Sequence, residues 1–307
     1  MYILRDWVDA SKLSWPLLSL NSHAFDMLKD HPEKINWRLF IQNDDPRCGS
    51  ILFKYQHIKH WAMVTHHEYI WRHGLPMHPT ERNREIISAD PMAIHILKAY
   101  PSYIDWAALS MNPSPEAVEL LKAHPDKINW VNLSRNRCPE AIRMLERYPH
   151  RINWYCLSSN PCPIAIELLK RYPENIIWHE FSENTHPEAM RMLKENRDKI
   201  DWFGLSGNPS AGEILEHEWL YGNPDNLNWY SMSYNAGVID LLEKNQDKIF
   251  WDMLSQNPAI FTLNYDYFKT RCDIYREELI QRAMHPRKIE RYINAGYELE
   301  EILEWFL

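Results

Sequence analysis

The densest group of side chains able to bind a metal or move a proton lies between positions 57 and 78. It comprises His57, His60, His66, His67, Glu68, His73 and His78. Imidazoles and carboxylates hold zinc when three or four of them converge and an outer shell orients them. On a helix His57 and His60 share a face, with His67 two turns beyond His60. The spacing matches no helical zinc signature such as H-E-x-x-H. The run therefore reads first as aromatic-rich packing or surface, with an enzyme or metal site in residues 43–89 as the alternative.

Nucleophiles are more poorly placed. Ser134, Ser158 and Ser206 recur at one position of a repeating phrase, and an active site does not need one serine per repeat. Cys156 and Cys162 lie inside repeats, where a lone cysteine usually acts as a small apolar residue. No glycine-rich phosphate loop is present, and Gly numbers only 8. No catalytic residue, cofactor or resident metal is predicted.

The elements that position these residues follow from a tandem repeat. Trp106, Trp130, Trp154, Trp178 and Trp202 stand 24 residues apart, and Trp229 and Trp251 continue the series at gaps of 27 and 22. Each opens a phrase of the form I-N-W-x-x-L-S-x-N. In Asn112–Pro125, Ser114 is placed to cap a helix, Pro115 suits its first position and Glu116 favours its positive end. Ala117, Val118 and Leu121 form an apolar stripe widened by Leu120, and Pro125 stops the helix. Asn196 and Asn245 replace that proline and are expected to end their helices in left-handed geometry.

The helix segments expected are 92–100, 115–124, 139–148, 163–172 and 187–196. Asp105, Asn129, Asn153, Asp201 and Asn228 are expected to cap the short Trp segments, whereas Ile177 and Phe250 have no capping side chain. Trp and Leu three residues later share a face of one helical turn, α or 3-10, in which the Trp ring is expected to be mostly enclosed. The most constant residue is the Asn that closes the phrase: Asn112, Asn136, Asn160, Asn184, Asn208, Asn235 and Asn257. A polar residue kept at a turn entering a core satisfies backbone groups, so these predict a stacked asparagine ladder.

The variable pair inside W-x-x-L is the informative one. Its members are Ala107-Ala108, Val131-Asn132, Tyr155-Cys156, His179-Glu180, Phe203-Gly204, Tyr230-Ser231 and Asp252-Met253. Variation within a constant framework suits a solvent-facing strip, and Tyr155, His179, Phe203 and Tyr230 are the candidate partner-binding residues.

Composition bounds the rest. Hydrophobic residues make up 45% and charged residues 25% of 307, which suits a globular chain. The formal charge of -8 argues against a general nucleic-acid binder, which needs a basic face. Five cysteines without C-x-x-C spacing predict free thiols in a reducing compartment. The N-terminus does not read as a signal peptide, and no stretch approaches a membrane span.

The alternation of one helix and one short turn resembles the leucine-rich-variant repeats, which stack α and 3-10 helices into a solenoid. The wording NP-x-PEAIxLL…DKINWxxLS, over roughly residues 11–42 and 90–260, resembles the tandem repeats of giant DNA viruses of protists and algae. The closing His285–Ile293 run resembles a tail carried by such viral proteins. This resemblance implies a viral, non-enzymatic binding or assembly protein.

The expected fold is an all-α solenoid of about 24-residue repeats, the period read from the tryptophans, each with one α-helix and one short α/3-10 turn. Four stretches form one continuous domain: N-terminal repeats at 1–42, a degenerate or expanded His- and aromatic-rich helical segment at 43–89, a regular array at 90–264 and a helical C-terminal cap at 265–307. The cap is expected as helices over 273–284 and 287–306. The functional expectation is a protein–protein interaction scaffold, possibly a minor capsid component. Its partners would be viral or host proteins, in a host cytoplasm or virion. A repeat-type nucleic-acid reader is the other alternative.

Overall fold

A repeat of this chain cannot bury its apolar stripe alone, and the computed structural model shows how neighbours cover it. It describes residues 2–40, 42–48, 50–51 and 84–298. Each unit is a long helix, a 3-10 turn and a short helix. In the second regular unit these are Pro115–Ala123, Pro125–Lys127 and Trp130–Arg135. The expected parts are present, and one is added. The Trp segment is α-helical, and the 3-10 turn occupies the proline connection that reads as a loop in the sequence.

The short helices Trp106–Met111, Trp130–Arg135, Trp154–Ser158, Trp178–Ser182, Trp202–Gly207, Trp229–Tyr234 and Trp251–Leu254 pack on one another in chain order. Leu109, Leu133, Leu157, Phe181, Leu205, Met232 and Leu254 fill the space between them and are fully buried. Each such side chain contributes about 1.5–3 kcal/mol relative to an exposed one. The described residues between 6 and 260 form an all-α solenoid.

Two polar ladders run through that stack. Asn136 Nδ2 donates to the carbonyls of Ser110 and Asn112, both at 2.9 Å, while its Oδ1 accepts the amide of Cys138 at 2.8 Å. Asn160, Asn184, Asn208, Asn235 and Asn257 repeat this pattern on the preceding unit. The serine that reads as structural filler forms the second ladder. Ser134 Oγ donates to Trp130 O at 2.8 Å and accepts the amide of Asn153 at 3.0 Å. Backbone groups that would be orphaned at each unit boundary are thus paired with neighbours.

The caps follow the residue types. Asp105, Asn129, Asn153, Asp201 and Asn228 each accept an amide three residues on, and Ile177 and Phe250 make no side-chain cap. The left-handed ending expected at Asn196 and Asn245 is corrected. Their φ values are -127° and -132°, and each Nδ2 instead donates to the carbonyl four residues back. The amide side chain satisfies the helix end, so no backbone strain is required.

The array starts earlier than position 90. Arg84–Ala89 is the first short helix described after position 51, and Ser88 takes the serine-ladder place through the Asp105 amide. Asp90 stands where other units have Asn and accepts the amide of Met92 at 2.7 Å. The helical segment expected within 43–89 lies largely outside the described residues.

The order of the stack differs from the order of the chain. Asn21 Nδ2 donates to the carbonyls of Ser255 and Asn257, and Ser255 Oγ accepts the amide of Ser14 at 2.8 Å. Asn43 then repeats the pattern on Ser19 and Asn21. The N-terminal repeats therefore stack beyond the last one, and at the ladder residues 13–24 cover the end of the array.

Contacts divide the chain into two compact units, residues 6–260 and residues 1–5 with 261–307, where one continuous domain is expected from sequence. The smaller unit contains the strands β1 (Tyr2–Leu4) and β2 (Phe261–Leu263), antiparallel with Ile3 opposite Thr262. It also contains the helices Tyr265–Ala283 and Pro286–Asn294. The first of these starts eight residues before the expected position 273. Three-residue strands carry too few alternations to be read from a sequence.

Candidate functional site

The framework tryptophans are less enclosed than expected. Trp106, Trp130, Trp154, Trp178, Trp202, Trp229 and Trp251 are all half-buried. The open side of each of four rings is met by a neighbouring aromatic. Trp106 packs on His124 at 4.9 Å, Trp130 on Tyr148 at 5.1 Å, Trp154 on Tyr172 at 5.6 Å and Trp229 on Trp219 at 5.2 Å. Cations from the next turn cover Trp15 and Trp178 and also reach Trp229. Lys34 Nζ lies 4.3 Å from the Trp15 ring centre, Lys199 4.7 Å from Trp178 and Lys248 5.0 Å from Trp229. Such contacts hold the ring edges without removing them from water.

The 27-residue unit carries its own lock. Glu218 is buried and accepts the amide of Asn223 at 3.0 Å, Asn226 Nδ2 at 2.8 Å and the Arg197 guanidinium. Burial pushes its carboxyl up, and these three donors outweigh that and hold it below the usual carboxylate range. A Cβ on Gly222 would run into this carboxylate.

The variable pair divides. The first member faces solvent in every unit: Ala107, Val131, Tyr155, His179, Phe203, Tyr230 and Asp252 are exposed. The second turns inward, with Ala108, Cys156, Gly204 and Ser231 buried. The expectation that both members form the surface strip is therefore corrected. A one-residue step on a short helix turns the side chain by about 100° and moves it off the open face.

The candidate partner-binding residues fall on one column of the stack. Phe203 is 62% exposed, against 48% for Tyr155 and 46% for Tyr230. Tyr155 and His179 meet edge to face at 5.4 Å, and Tyr230 meets Phe250 at 5.6 Å. Phe250 is itself exposed and was not singled out by the W-x-x-L pattern, because it precedes the tryptophan. Comparison with known proteins adds no relative. No family model, curated protein or solved structure matches the chain.

Charge varies along this column. His179 Nε2 lies 3.5 Å from Glu180 Oε1. A hydrogen bond to Glu180, and the charge on that carboxylate, raise the Tyr155 hydroxyl above its ordinary value. Glu183 is raised by burial first, then by Glu180 and Asp201. Two units before Glu183 the charge is reversed, where Arg135 and Arg137 line a surface groove.

The histidine cluster at His57, His60, His66, His67, His73 and His78 lies outside the described residues. Among the described residues no group of three His, Cys, Asp or Glu could hold a metal ion. Among the same residues no helix is long and apolar enough to cross a membrane.

Proposed function

We propose that the chain is a non-enzymatic protein-interaction scaffold. One observation carries this reading: Tyr155, His179, Phe203 and Tyr230 recur at a single exposed position while the residues around them are held constant by the ladders. Large aromatic side chains left open to water on a rigid surface are the residue types that dominate binding energy in protein interfaces. The resemblance of the repeat wording to giant-virus tandem repeats supports partners among viral or host proteins. It also supports a structural or minor capsid role, in a virion or a reducing host cytoplasm.

The test is chemical cross-linking and affinity capture in extracts of the native source. Wild type is compared with a chain in which Tyr155, His179, Phe203 and Tyr230 are all replaced by Ala. A second chain, Met92→Ala with Tyr221→Ala, removes exposed side chains elsewhere. Loss of the captured species in the first chain and not in the second supports the reading. Equal capture by all three overturns it.

A further inference from the structure

We propose that a groove beside the aromatic column binds an acidic peptide segment through Arg135 and Arg137, a deepening that rests on the scaffold reading. The groove has a volume of about 460 Å³ and is lined by Met111, Pro113, Arg135, Arg137, Cys156 and Pro161 among others. Volumes of this order hold several side chains, well beyond a single small anion. Both arginines are exposed. Arg135 Nε donates to Cys156 Sγ at 3.2 Å, and neither guanidinium meets a carboxylate among the described residues.

Both therefore carry uncompensated positive charge in a chain with a formal charge of -8. Most other described arginines on the stack have acid partners: Arg47 with Asp45, Arg143 with Glu140, Arg171 with Glu146, Arg191 with Glu188 and Arg197 with Glu218. A guanidinium presents a planar fork of donors that matches a carboxylate in two parallel bonds. Met111, Pro113 and Pro161 supply an apolar wall for the aliphatic part of an acidic side chain.

The repeat itself distinguishes a peptide from a nucleic-acid strand. Arg135 occupies the position that Ser159, Glu183 and Gly207 take in the following units. A strand running along the stack would leave the two arginines and meet Glu180 and Glu183 within two units, where phosphates are repelled. A short acidic stretch ends before that point. The same repeat equivalence supplies a conservative test, because units with Ser and Pro at these places fold in the same ladder: Ser159 and Pro161 flank Asn160 as Arg135 and Arg137 flank Asn136.

The experiment is fluorescence anisotropy of a fluorescein-labelled hexaglutamate peptide with the full chain at low ionic strength. The variants are R135S/R137P, R135Q/R137Q and the four-alanine aromatic-column chain, each checked by circular dichroism. Saturable binding is expected, weakened about tenfold or more in both arginine variants. Binding of hexaglutamate should survive in the aromatic-column chain. The assignment is overturned if hexaglutamate does not bind saturably or if both folded arginine variants bind it as wild type does. It is equally overturned if labelled oligothymidylate binds more tightly with the same arginine dependence. Failure of hexaglutamate binding alongside loss of capture in the aromatic-column chain removes the groove assignment and leaves the scaffold reading standing.

Discussion

Asn21 Nδ2 lies 3.1 Å from the carbonyl oxygen of Asn257, joining residues 236 apart in the chain by the same bond that joins neighbouring repeats. With the companion bond to Ser255 it makes the boundary between last and first repeats chemically equivalent to an internal one. The repeats at 13–43 are thus the far end of a stack whose described beginning is at 84.

Replacing Asn21 by Ala strands two buried carbonyls and the amide of His23. The expected cost is about 2–4 kcal/mol, the combined penalty of unmade buried hydrogen bonds. Hydrogen exchange should localise it: the Ser14 amide, bonded to Ser255 Oγ, exchanges faster, while the Asn153 amide keeps its protection. Equal loss of protection at both sites would show that the boundary has no independence.

Trp202 and Phe203 are adjacent and should behave oppositely. Trp202 is half-buried with Arg197 5.9 Å from its ring centre, whereas Phe203 is 62% exposed. Trp202→Ala is expected to cost about 2–4 kcal/mol in urea unfolding. Phe203→Ala should stay within about 0.5 kcal/mol of wild type, as surface substitutions do. A large loss at Phe203 would return that residue to the framework.

Two carboxyls give opposite pH dependences. The carboxyl of Glu218 is held low, so its contribution is present above the ordinary carboxylate range and lost as pH falls through its folded value. Glu218→Gln should lower the melting temperature near neutrality, with the gap closing in acid. Asp90 is raised by burial against a weaker opposing bond from Met92, so its contribution is present in acid and lost as pH rises through the folded value. Asp90→Asn should therefore melt higher than wild type at neutral pH and converge with it in acid. Thermal melts at stepped pH read both, and parallel curves for either variant contradict the assignment.

Thiol reactivity checks the packing of the repeats. Cys272 is exposed and Cys48, Cys138, Cys156 and Cys162 are buried. Burial, chiefly, pushes the Cys48 thiol up to about 12. A disulfide exchange reagent should titrate one thiol quickly and the other four only on unfolding. Rapid reaction of Cys156 would mean that the groove beside Arg135 opens to its floor.

Much of this architecture is legible in the residues. The asparagine ladder follows from one polar residue kept at a turn, and the capping side chains follow from their place before each tryptophan. The serine ladder is not legible in the sequence, because a hydroxyl that bridges two units looks like any other small residue in a helix. Ser88-Ala89-Asp90 hid the start of the array, since Asp accepts as Asn does and cannot donate. β1 is invisible without its partner near position 262, which no local pattern indicates. The exposed strip is legible only to within the W-x-x-L pair, since the spacing does not say which of the two middle residues turns inward. Arg135 and Arg137 do not stand out in the sequence, because a charge looks solvated until its missing partner can be seen.

The boundary between Asn21 and Asn257 also sets an order of events in time. A linear repeat array can grow by adding each unit to the one just made, with only short-range contacts. Here Asn21 is synthesised more than two hundred residues before Ser255 and Asn257, whose carbonyls its side chain bonds. Interfaces from 84 onward form as the chain emerges, whereas this one demands closure of a loop of more than two hundred residues, the kind of contact that slows folding. The segment around Asn21 must wait for a neighbour made much later, and until then both faces of that interface stand open to misassembly with other copies.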